Sequence, residues 1–361
     1  MVGLHYLKAL YDESDESVVA KWVENPYWQY FCGEMVFQHE LPCHPTSLVK
    51  WRQQVGPEGI EQLLGQVIRS AISTAMLNPR EVERVNVDTT VQEKAVAFPT
   101  DARLYQQARK TLVRAAKKRN LELRQSYLRV GKHAFFKQSR YRAASQLKRA
   151  KKYARKLRTY LGRVIRDIER KLPQPDAQMA TLLHRAKQIE QQRSDSNKLY
   201  SMHAPEVECI AKGKVNKRYE FGCKVVLVTT SLSNWIVGTT AVHGNPYDGA
   251  TLNAVLEQTQ RLTKTLPKQA VVDKGFRGGQ YHPPDVQVLV AGTRKFKGVL
   301  KRLVKRRSAI EPVIGHLEQD HALKRNYLRG SSGDNINALL AACGFNLRKL
   351  YRGFLDAPVA I

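Results

Sequence analysis

A basic segment between residues 103 and 172 is the sequence feature that most constrains the fold. It holds 24 Lys or Arg and 3 Asp or Glu, a net +21 of the chain's +28. Within it, apolar residues recur at steps of three and four, which places them on one stripe of a long helix whose other faces are basic. The residues of this stripe are Leu147, Ala150, Ala154, Leu157, Leu161, Val164 and Ile168. The pattern predicts a helical hairpin or coiled coil.

The charge of this segment has two interpretations. A solvated helix face normally interleaves both signs, and this segment does not, so contact with a polyanion is the stronger hypothesis. Nucleic acid is favoured over a membrane surface because no apolar run approaches the roughly 20 residues that span a bilayer, and no signal peptide opens the chain. We expect a soluble intracellular protein whose phosphate contacts include Lys148, Arg149, Lys151, Lys152, Arg155 and Lys156.

Short β-branched and apolar runs flank the basic segment on both sides. A run that includes Val85 and Val87 leads to Asp88, and it predicts a buried strand that ends near this residue. Further strands are predicted at 221–230, 235–242, 270–272 and 286–290, with helices around 252–262, 308–323 and 335–355. Two strands, a helix and further strands indicate an α/β fold with a mixed sheet.

These patterns divide the chain into three predicted parts. Residues 1–78 are predicted to form a helical N-terminal domain, 79–98 and 200–361 a sheet domain, and 99–199 a basic helical insertion. An aromatic patch in the first part is interpreted as core packing, and it consists of Trp22, Tyr27, Trp28, Tyr30 and Phe31. Because Met1 enters a helical pattern without a capping residue, we expect this domain to be truncated.

Five cysteines are scattered along the chain without any C-x-x-C pair. An odd number at wide spacing indicates neither a disulfide framework nor a zinc module. The sequence therefore predicts ordinary buried or free thiols at Cys32, Cys43, Cys209, Cys223 and Cys343.

Acidic residues follow two of the predicted strands. Asp88 and Asp273 each come after an apolar β-branched run, where ligands are commonly bound in α/β sheets. An Asp at this position is nevertheless more often a turn or cap residue. Arg307 and Glu311 lie one turn apart on a predicted helix that Ser308 could cap, and such a pair is commonly just a surface ion pair. These residues alone leave catalysis and structure both open.

The motifs around these acids resemble those of a known enzyme family. Asp88-Thr-Thr, Asp273-Lys-Gly-Phe and Arg307-x-x-x-Glu311 look like the three acidic motifs of DDE transposases from bacterial insertion sequences, in the four/five superfamily and closest to its fifth family. Further blocks of the chain resemble the same family and extend the likeness from near the first residue to about Asn346. They are residues 7–16, 25–31, 200–214, 219–224 and 243–249.

The resemblance implies a fold and a chemistry. It implies a ribonuclease-H-like sheet with Asp88 on the first strand, Asp273 on the fourth and Glu311 on a following helix. These three acids would be the catalytic residues and the ligands of two Mg²⁺ or Mn²⁺ ions. The ions would support strand cleavage at the element's ends and attack of the freed 3′-hydroxyl on target DNA.

The same resemblance implies roles for other residues and partners. Arg307 would orient the Glu311 carboxylate or neutralise a phosphate, while Lys274 and Arg277 would hold the DNA backbone. Supporting roles fall to His203, Glu206 and Glu208. The N-terminal domain, residues 1–78, would bind DNA as well. The implied partners are double-stranded terminal repeats and target DNA, bound by a homodimer in the bacterial cytoplasm at the nucleoid.

Two alternatives differ from an active transposase in what they do with DNA. Relatives typically carry Lys where this chain has Glu318, so the chain could be a non-catalytic or inactivated DNA-binding remnant. It could also be a ribonuclease-H-like nuclease that stops after hydrolysis. Metal dependence separates the remnant from the enzymes, and strand joining separates a transposase from a nuclease.

Overall fold

The computed structural model describes residues 1–192, 198–211, 218–293 and 296–356. They divide into two compact units. One combines Met1–Ala95 with Ile210–Ile361, and the other is Val96–Cys209. We describe each unit separately, as the sheet unit and the helical unit. The end of the family-like block 200–214 and part of the predicted insertion, residues 193–197, lie outside the described residues.

The first half of the chain is mostly helical, and most of the strands lie in the second half. The first half contains α1 Val2–Tyr11, α2 Asp15–Glu24, α3 Pro26–Phe31, α4 Pro45–Ser73, β1 Arg84–Glu93, α5 Asp101–Lys118, α6 Leu128–Ala143, α7 Leu147–Lys171 and α8 Ala177–Gln191. The second half contains β2 Glu208–Ile210, β3 Glu220–Thr230, β4 Ile236–Val242, α9 Leu252–Thr263, β5 Gln269–Val272, β6 Gln287–Val290, α10 Gly298–Arg306, α11 Ile310–Asp320 and α12 Gly330–Asp356.

A mixed sheet forms the centre of the sheet unit. Its strand order is β2-β3-β1-β5-β6, with β4 also paired to β3. Strand β1 runs antiparallel to β3 and parallel to β5, and β5 runs parallel to β6. Valines on β1, β3 and β5 are almost fully buried, as expected for a sheet that is covered by helices. The mixed α/β class predicted from the sequence is therefore confirmed, whereas the ribonuclease-H-like fold stays a prediction.

Asp88 lies in the middle of β1, so the prediction that it ends the strand is wrong. The strand continues to Glu93, and residues after Asp88 keep pairing with β3 as far as Glu93 opposite Gly222. Thr89, Thr90 and Val91 have the branched side chains that suit a pleated strand. The carboxylate therefore projects from a fixed position in the sheet.

The aromatic patch near the N-terminus is only partly core. Trp22 and Trp28 are buried, but Tyr27 is 83% exposed and Tyr30 is 74% exposed, and Phe31 is about half exposed. Helix α3 has only six residues and buries one face, so most of its aromatics point away from the core. The interpretation of the whole patch as core is wrong for these three residues.

A buried arginine joins the first helices to α4. Arg52 on α4 donates two hydrogen bonds to Asp15 on α2, at 2.8 and 2.5 Å, and lies 3.2 Å from Nε2 of His5 on α1. Burial lowers the pKa of His5 to about 4, so its neutral ring can accept a hydrogen bond from Arg52 while Nδ1 donates to the Met1 carbonyl. These contacts hold three helices of the N-terminal segment together.

We predict that Arg52→Ala destabilises the sheet unit by about 3 kcal/mol, because it removes two charged hydrogen bonds from the mostly buried Asp15 carboxylate and leaves Lys8, at 3.0 Å, to compensate its charge. Calorimetry of the full chain should show that unit melting roughly 6–12 °C lower. Arg261→Ala is the matched control, since Arg261 pairs with Glu61 at 3.2 Å but is 59% exposed, and we expect little change there. Equal effects of the two substitutions would contradict the prediction.

The helical unit is built from α5, α6, α7 and α8. Leu157, Leu161, Val164 and Ile168 on α7 are buried, and they pack in one core with residues of α5 and α8. Leu147 at the start of the stripe is exposed. Helices α6 and α7 follow each other closely, as the predicted hairpin requires, but they belong to a larger helical core.

The C-terminal helices α11 and α12 cover part of the sheet unit's core, whereas α10 buries none of its residues. Ile310, Val313 and Leu317 bury one face of α11. Ser308 does not cap this helix as predicted, because its hydroxyl donates to the Lys305 carbonyl and a 3₁₀ turn, Arg307–Ala309, leads directly into α11. Among the described helices, none combines the length and the apolar character that crossing a bilayer requires.

Candidate active site

Asp88 and Asp273 lie on neighbouring parallel strands at matching positions. Asn86 on β1 pairs with Val271 on β5, and each aspartate comes two residues after its member of this pair. Residues two apart on a strand project to the same face, and adjacent strands lie about 4.8 Å apart. Asp273 follows β5 directly, and its carboxylate accepts the backbone N–H of Gly275 at 2.8 Å. The sheet register therefore brings the two acids together.

Arg307 contacts all three predicted acids. One of its terminal nitrogens lies 2.7 Å from the Asp88 carboxylate and 3.9 Å from the Asp273 carboxylate. The other lies 3.8 Å from the Glu311 carboxylate, one helical turn further along the chain. The guanidinium thus connects acids from β1, from the loop after β5 and from α11. These acids are far apart in sequence, and only the fold brings them to one group.

Exposure increases from Asp88 to Glu311. The side chains of Asp88 and Arg307 are 13% and 18% exposed, those of Asp273 and Glu311 38% and 66%. Glu311 stands in the first turn of α11, which the buried Ile310 and Val313 fix against the core. The site therefore has one acid that is fixed and mostly buried, Asp88, and one that is open to a large substrate, Glu311.

Gly275 lies close to the carboxylates of Asp248 and Asp273. A Cβ atom at position 275 would lie 2.8 Å from the Asp248 carboxylate and 2.9 Å from that of Asp273, so a side chain larger than glycine would force a shift. Asp248 also pairs with Lys224 at 2.7 Å. Lys224 and Asp248 belong to the blocks 219–224 and 243–249, which resemble the family. No sequence pattern indicates that Asp248 borders the site.

The cations predicted after Asp273 are accessible to solvent. Lys274 and Arg277 are both exposed, and the Lys274 side chain passes over Gly292, where a Cβ would lie 2.7 Å from its Cε. Gly292 has φ of +74°, which favours glycine. The loop therefore presents positive charge at the surface within four residues of Asp273.

Glu318 lies on the same helix as Glu311 and contacts β1. Its carboxylate accepts a hydrogen bond of 3.1 Å from the hydroxyl of Thr90, two residues along the strand from Asp88. Asp88 and Thr90 project from the same face of the strand. A carboxylate, in place of the Lys typical of the resembled family, thus adds negative charge at this position of the sheet.

The six basic residues of α7 predicted to meet phosphates are all exposed: Lys148, Arg149, Lys151, Lys152, Arg155 and Lys156. Two tyrosines order part of this surface. Tyr141 and Tyr153 stack at 5.6 Å, with Arg149 over the first ring and Lys156 over the second. Cation–π contacts of this kind hold a charged head in place without neutralising it.

The predicted supporting residues His203, Glu206 and Glu208 fall at the end of the helical unit. His203 lies 2.9 Å from the side-chain amide of Gln107 on α5, and Glu208 opens β2. A supporting role for these three residues stays a prediction.

The three acids offer the ligands that a hard divalent cation requires. All their donors are carboxylate oxygens, as Mg²⁺ and Mn²⁺ prefer. Three carboxylates around one guanidinium leave an excess of negative charge, which favours binding of further cations. Among the described residues, none forms a hydrogen bond with the buried Nε of Arg307, so the guanidinium is not fixed on every side. The donor set thus fits such ions at Asp88, Asp273 and Glu311.

Comparison with protein families gives two matches. Residues 1–54 match the family described as "Transposase domain (DUF772)", and residues 290–351 match the one described as "Transposase DDE domain". The second match includes Arg307 and Glu311. Among curated proteins, the "Uncharacterized protein ORF8 in nfe locus" of Rhizobium meliloti is 55% identical over 146 residues, which are 40% of this chain and 70% of the relative. No solved structure matches.

Proposed function

The chain belongs to the DDE transposases of insertion sequences, and we propose that it cuts and joins the ends of its element by phosphoryl transfer at Asp88, Asp273 and Glu311. The convergence of these three acids on Arg307 carries the proposal. An ordinary surface ion pair would account for Arg307 and Glu311 alone. It gives no reason for two further carboxylates from separate strands on the same guanidinium.

We propose that Asp88, Asp273 and Glu311 hold two divalent cations, Mg²⁺ or Mn²⁺. When bound, such cations activate the attacking oxygen and stabilise the charge of an in-line phosphoryl transfer. The chain supplies the positions of the ligands. Asp88 is fixed in the sheet, Asp273 is held by the Gly275 amide, and Glu311 is mostly exposed, so its carboxylate can turn toward a bound cation.

Arg307 has two roles in this proposal. Without cations, its guanidinium offsets the repulsion among the three carboxylates, of which Asp88 is the nearest at 2.7 Å. With cations and DNA in place, the same group can turn toward a phosphate oxygen, since Arg binds phosphate in a bidentate geometry that Lys cannot reproduce. Lys274 and Arg277 would hold the DNA backbone nearby.

We propose that the exposed basic residues of α7 bind the DNA backbone. Phosphate contacts supply position and affinity without reading sequence, which suits a surface of Lys and Arg with few acids. Residues 1–78 are proposed as a further DNA-binding part that recognises the terminal repeats. Because an insertion sequence has two ends and the chain has one set of acids, we propose a homodimer that pairs them, acting at the bacterial nucleoid.

Metal-dependent cleavage tests this function. A labelled duplex that carries the flanking ends of the gene should be cut in Mg²⁺ or Mn²⁺ and left intact in Ca²⁺ or EDTA, because Ca²⁺ tolerates loose coordination that does not align the reacting oxygens. The product should end in a 3′-hydroxyl. If DNA is bound in every condition and never cut, the chain is a binding remnant. Glu318→Lys then tests whether that acid is what disables it.

A further inference from the structure

Cys223, His243 and Asp334 meet beside the central sheet, far apart in sequence. One ligand atom from each lies within 4.8 Å of the others, and within the described residues this is the one such group of three or more Cys, His, Asp or Glu side chains. We propose that they bind a zinc-type transition metal ion. The proposal goes beyond the transposase function and does not depend on it.

The sheet register places two of these ligands side by side. Lys224 on β3 pairs with Val242 on β4 in an antiparallel ladder, so Cys223 and His243 come next, opposite each other. Directly opposed residues project to the same face with Cβ atoms about 5 Å apart. Asp334, in the first turns of α12, completes the group from the helix above. Three separate elements therefore contribute one ligand each.

The Asp334 carboxylate is held in one orientation. Its Oδ1 accepts hydrogen bonds from Lys94 at 2.7 Å and from the Asn326 amide at 2.6 Å. Its Oδ2 lies 3.5 Å from Nε2 of His243. Two ligands with bonds near 2.1 Å to a tetrahedral zinc ion lie roughly 3.4 Å apart, whereas a direct hydrogen bond is normally shorter than 3.2 Å. The separation suits two ligands of one ion.

The Cys223 thiol is oriented in a similar way. Gln92, its partner across the β1–β3 pair, directs its amide nitrogen to the sulfur at 3.6 Å and to the Asp334 backbone carbonyl at 3.0 Å. Outer contacts that orient ligating side chains are a regular feature of metal sites. Here Gln92, Lys94 and Asn326 form such a layer.

The donor set selects the class of metal. A thiolate with an imidazole and a carboxylate suits Zn²⁺ and disfavours Mg²⁺, which requires oxygen ligands. Cys223 and Asp334 are buried, while His243 is 29% exposed on its side chain, so an ion would reach the group from the side of the histidine. An ion there would join β3, β4 and α12.

This site is separate from the three acids. Gln92 and Asp88 lie on the same strand, four residues apart, which corresponds to roughly 13 Å. The prediction of ordinary thiols rested on the absence of paired cysteines in the sequence. Such a pattern cannot detect ligands that come from three distant parts of the chain. Cys343, by contrast, is buried among apolar residues of the core and belongs to no such group within the described chain.

Metal titration of the full chain tests the site. After chelator treatment, the purified protein should take up about one Zn²⁺ tightly, and Co²⁺ should give an intense thiolate-to-cobalt absorption band. Cys223→Ser should abolish that band, and His243→Gln, at a partly exposed position, should weaken Zn²⁺ binding at least tenfold. Cys343→Ser should leave both signals intact, and so should Asp88→Asn combined with Asp273→Asn.

Three results would overturn the proposal. One is a chain that binds no Zn²⁺ and gives no cobalt–thiolate band, which would make the cluster only a buried Asp334–Lys94 pair. Another is full zinc affinity in the folded His243→Gln variant. The third is loss of zinc binding on substitution of Asp88 and Asp273 alone, which would assign the ion to the other site. Since DNA cleavage is not measured, failure here leaves the transposase proposal standing.

Discussion

Asp88→Asn is expected to reduce DNA cleavage by at least about 10³-fold while DNA binding changes only a few-fold. The substitution keeps the size of the side chain but removes the negative charge that a divalent cation requires from its ligand. Asp88 is the least exposed of the three acids and is fixed within β1, so the substitution removes the ligand whose position the fold determines most firmly. The rate should be measured in single-turnover cleavage of the labelled end.

A matched control separates chemistry from folding. Asp285→Asn removes one charge from an exposed position in the turn before β6, and we expect full activity from it. Both variants should melt within a few degrees of the natural chain. Cleavage by Asp88→Asn at the natural rate would remove this residue from the catalytic site, and the convergence on Arg307 would then be structural.

Neutralising the exposed basic surface of α7 is expected to weaken DNA binding by about 10³-fold in moderate salt. Replacing Lys148, Arg149, Lys151, Lys152, Arg155 and Lys156 with Gln removes six charges from exposed positions. Each phosphate contact contributes about −0.9 to the slope of log K against log salt, so six contacts should flatten it by about five. The slope should be measured by fluorescence anisotropy on the labelled duplex.

The control variant keeps the positive charge of α7 and changes only the type of basic side chain. Exchanging Lys for Arg and Arg for Lys at the same six positions should leave the salt slope unchanged, and circular dichroism should show that both variants retain their helices. The apolar face of α7 is untouched because Leu157, Leu161 and Val164 lie in the core. An unchanged slope in the Gln variant would mean that this surface is merely solvated.

Local sequence patterns predicted helices and strands well where the residues of the segment itself determine its secondary structure. The stripe from Leu147 to Ile168 is a helix, and the runs at 221–230 and 235–242 became β3 and β4 within one residue at each end. These segments combine a clear period with residues suited to it. The end of β1 was misplaced because pairing with β3 extends the strand beyond Asp88, and a partner so distant along the chain leaves no local signal.

The candidate site needed information that local patterns do not contain. Arg307 and Asp88 are 219 residues apart, and the Arg-x-x-x-Glu spacing by itself is common on solvent-exposed helices. Family resemblance identified the three acids, and the fold then supplied their common contact. Asp248, Thr90 and the group at Cys223 were missed, since each depends on which strands become neighbours. Exposed Tyr27 and Tyr30 were misjudged because aromatic residues are usually core.

Strand joining tests the central proposal most directly. A pre-cut element end with a 3′-hydroxyl should be incubated with a target plasmid and Mg²⁺, beside an identical end that has a 2′,3′-dideoxy terminus and beside the Asp273→Asn variant. The proposal predicts covalent joining of the hydroxyl end alone, and none with the variant. If the natural chain cuts DNA but never joins the hydroxyl end, or if joining persists without Asp273, the assignment of transposition chemistry to these acids is contradicted.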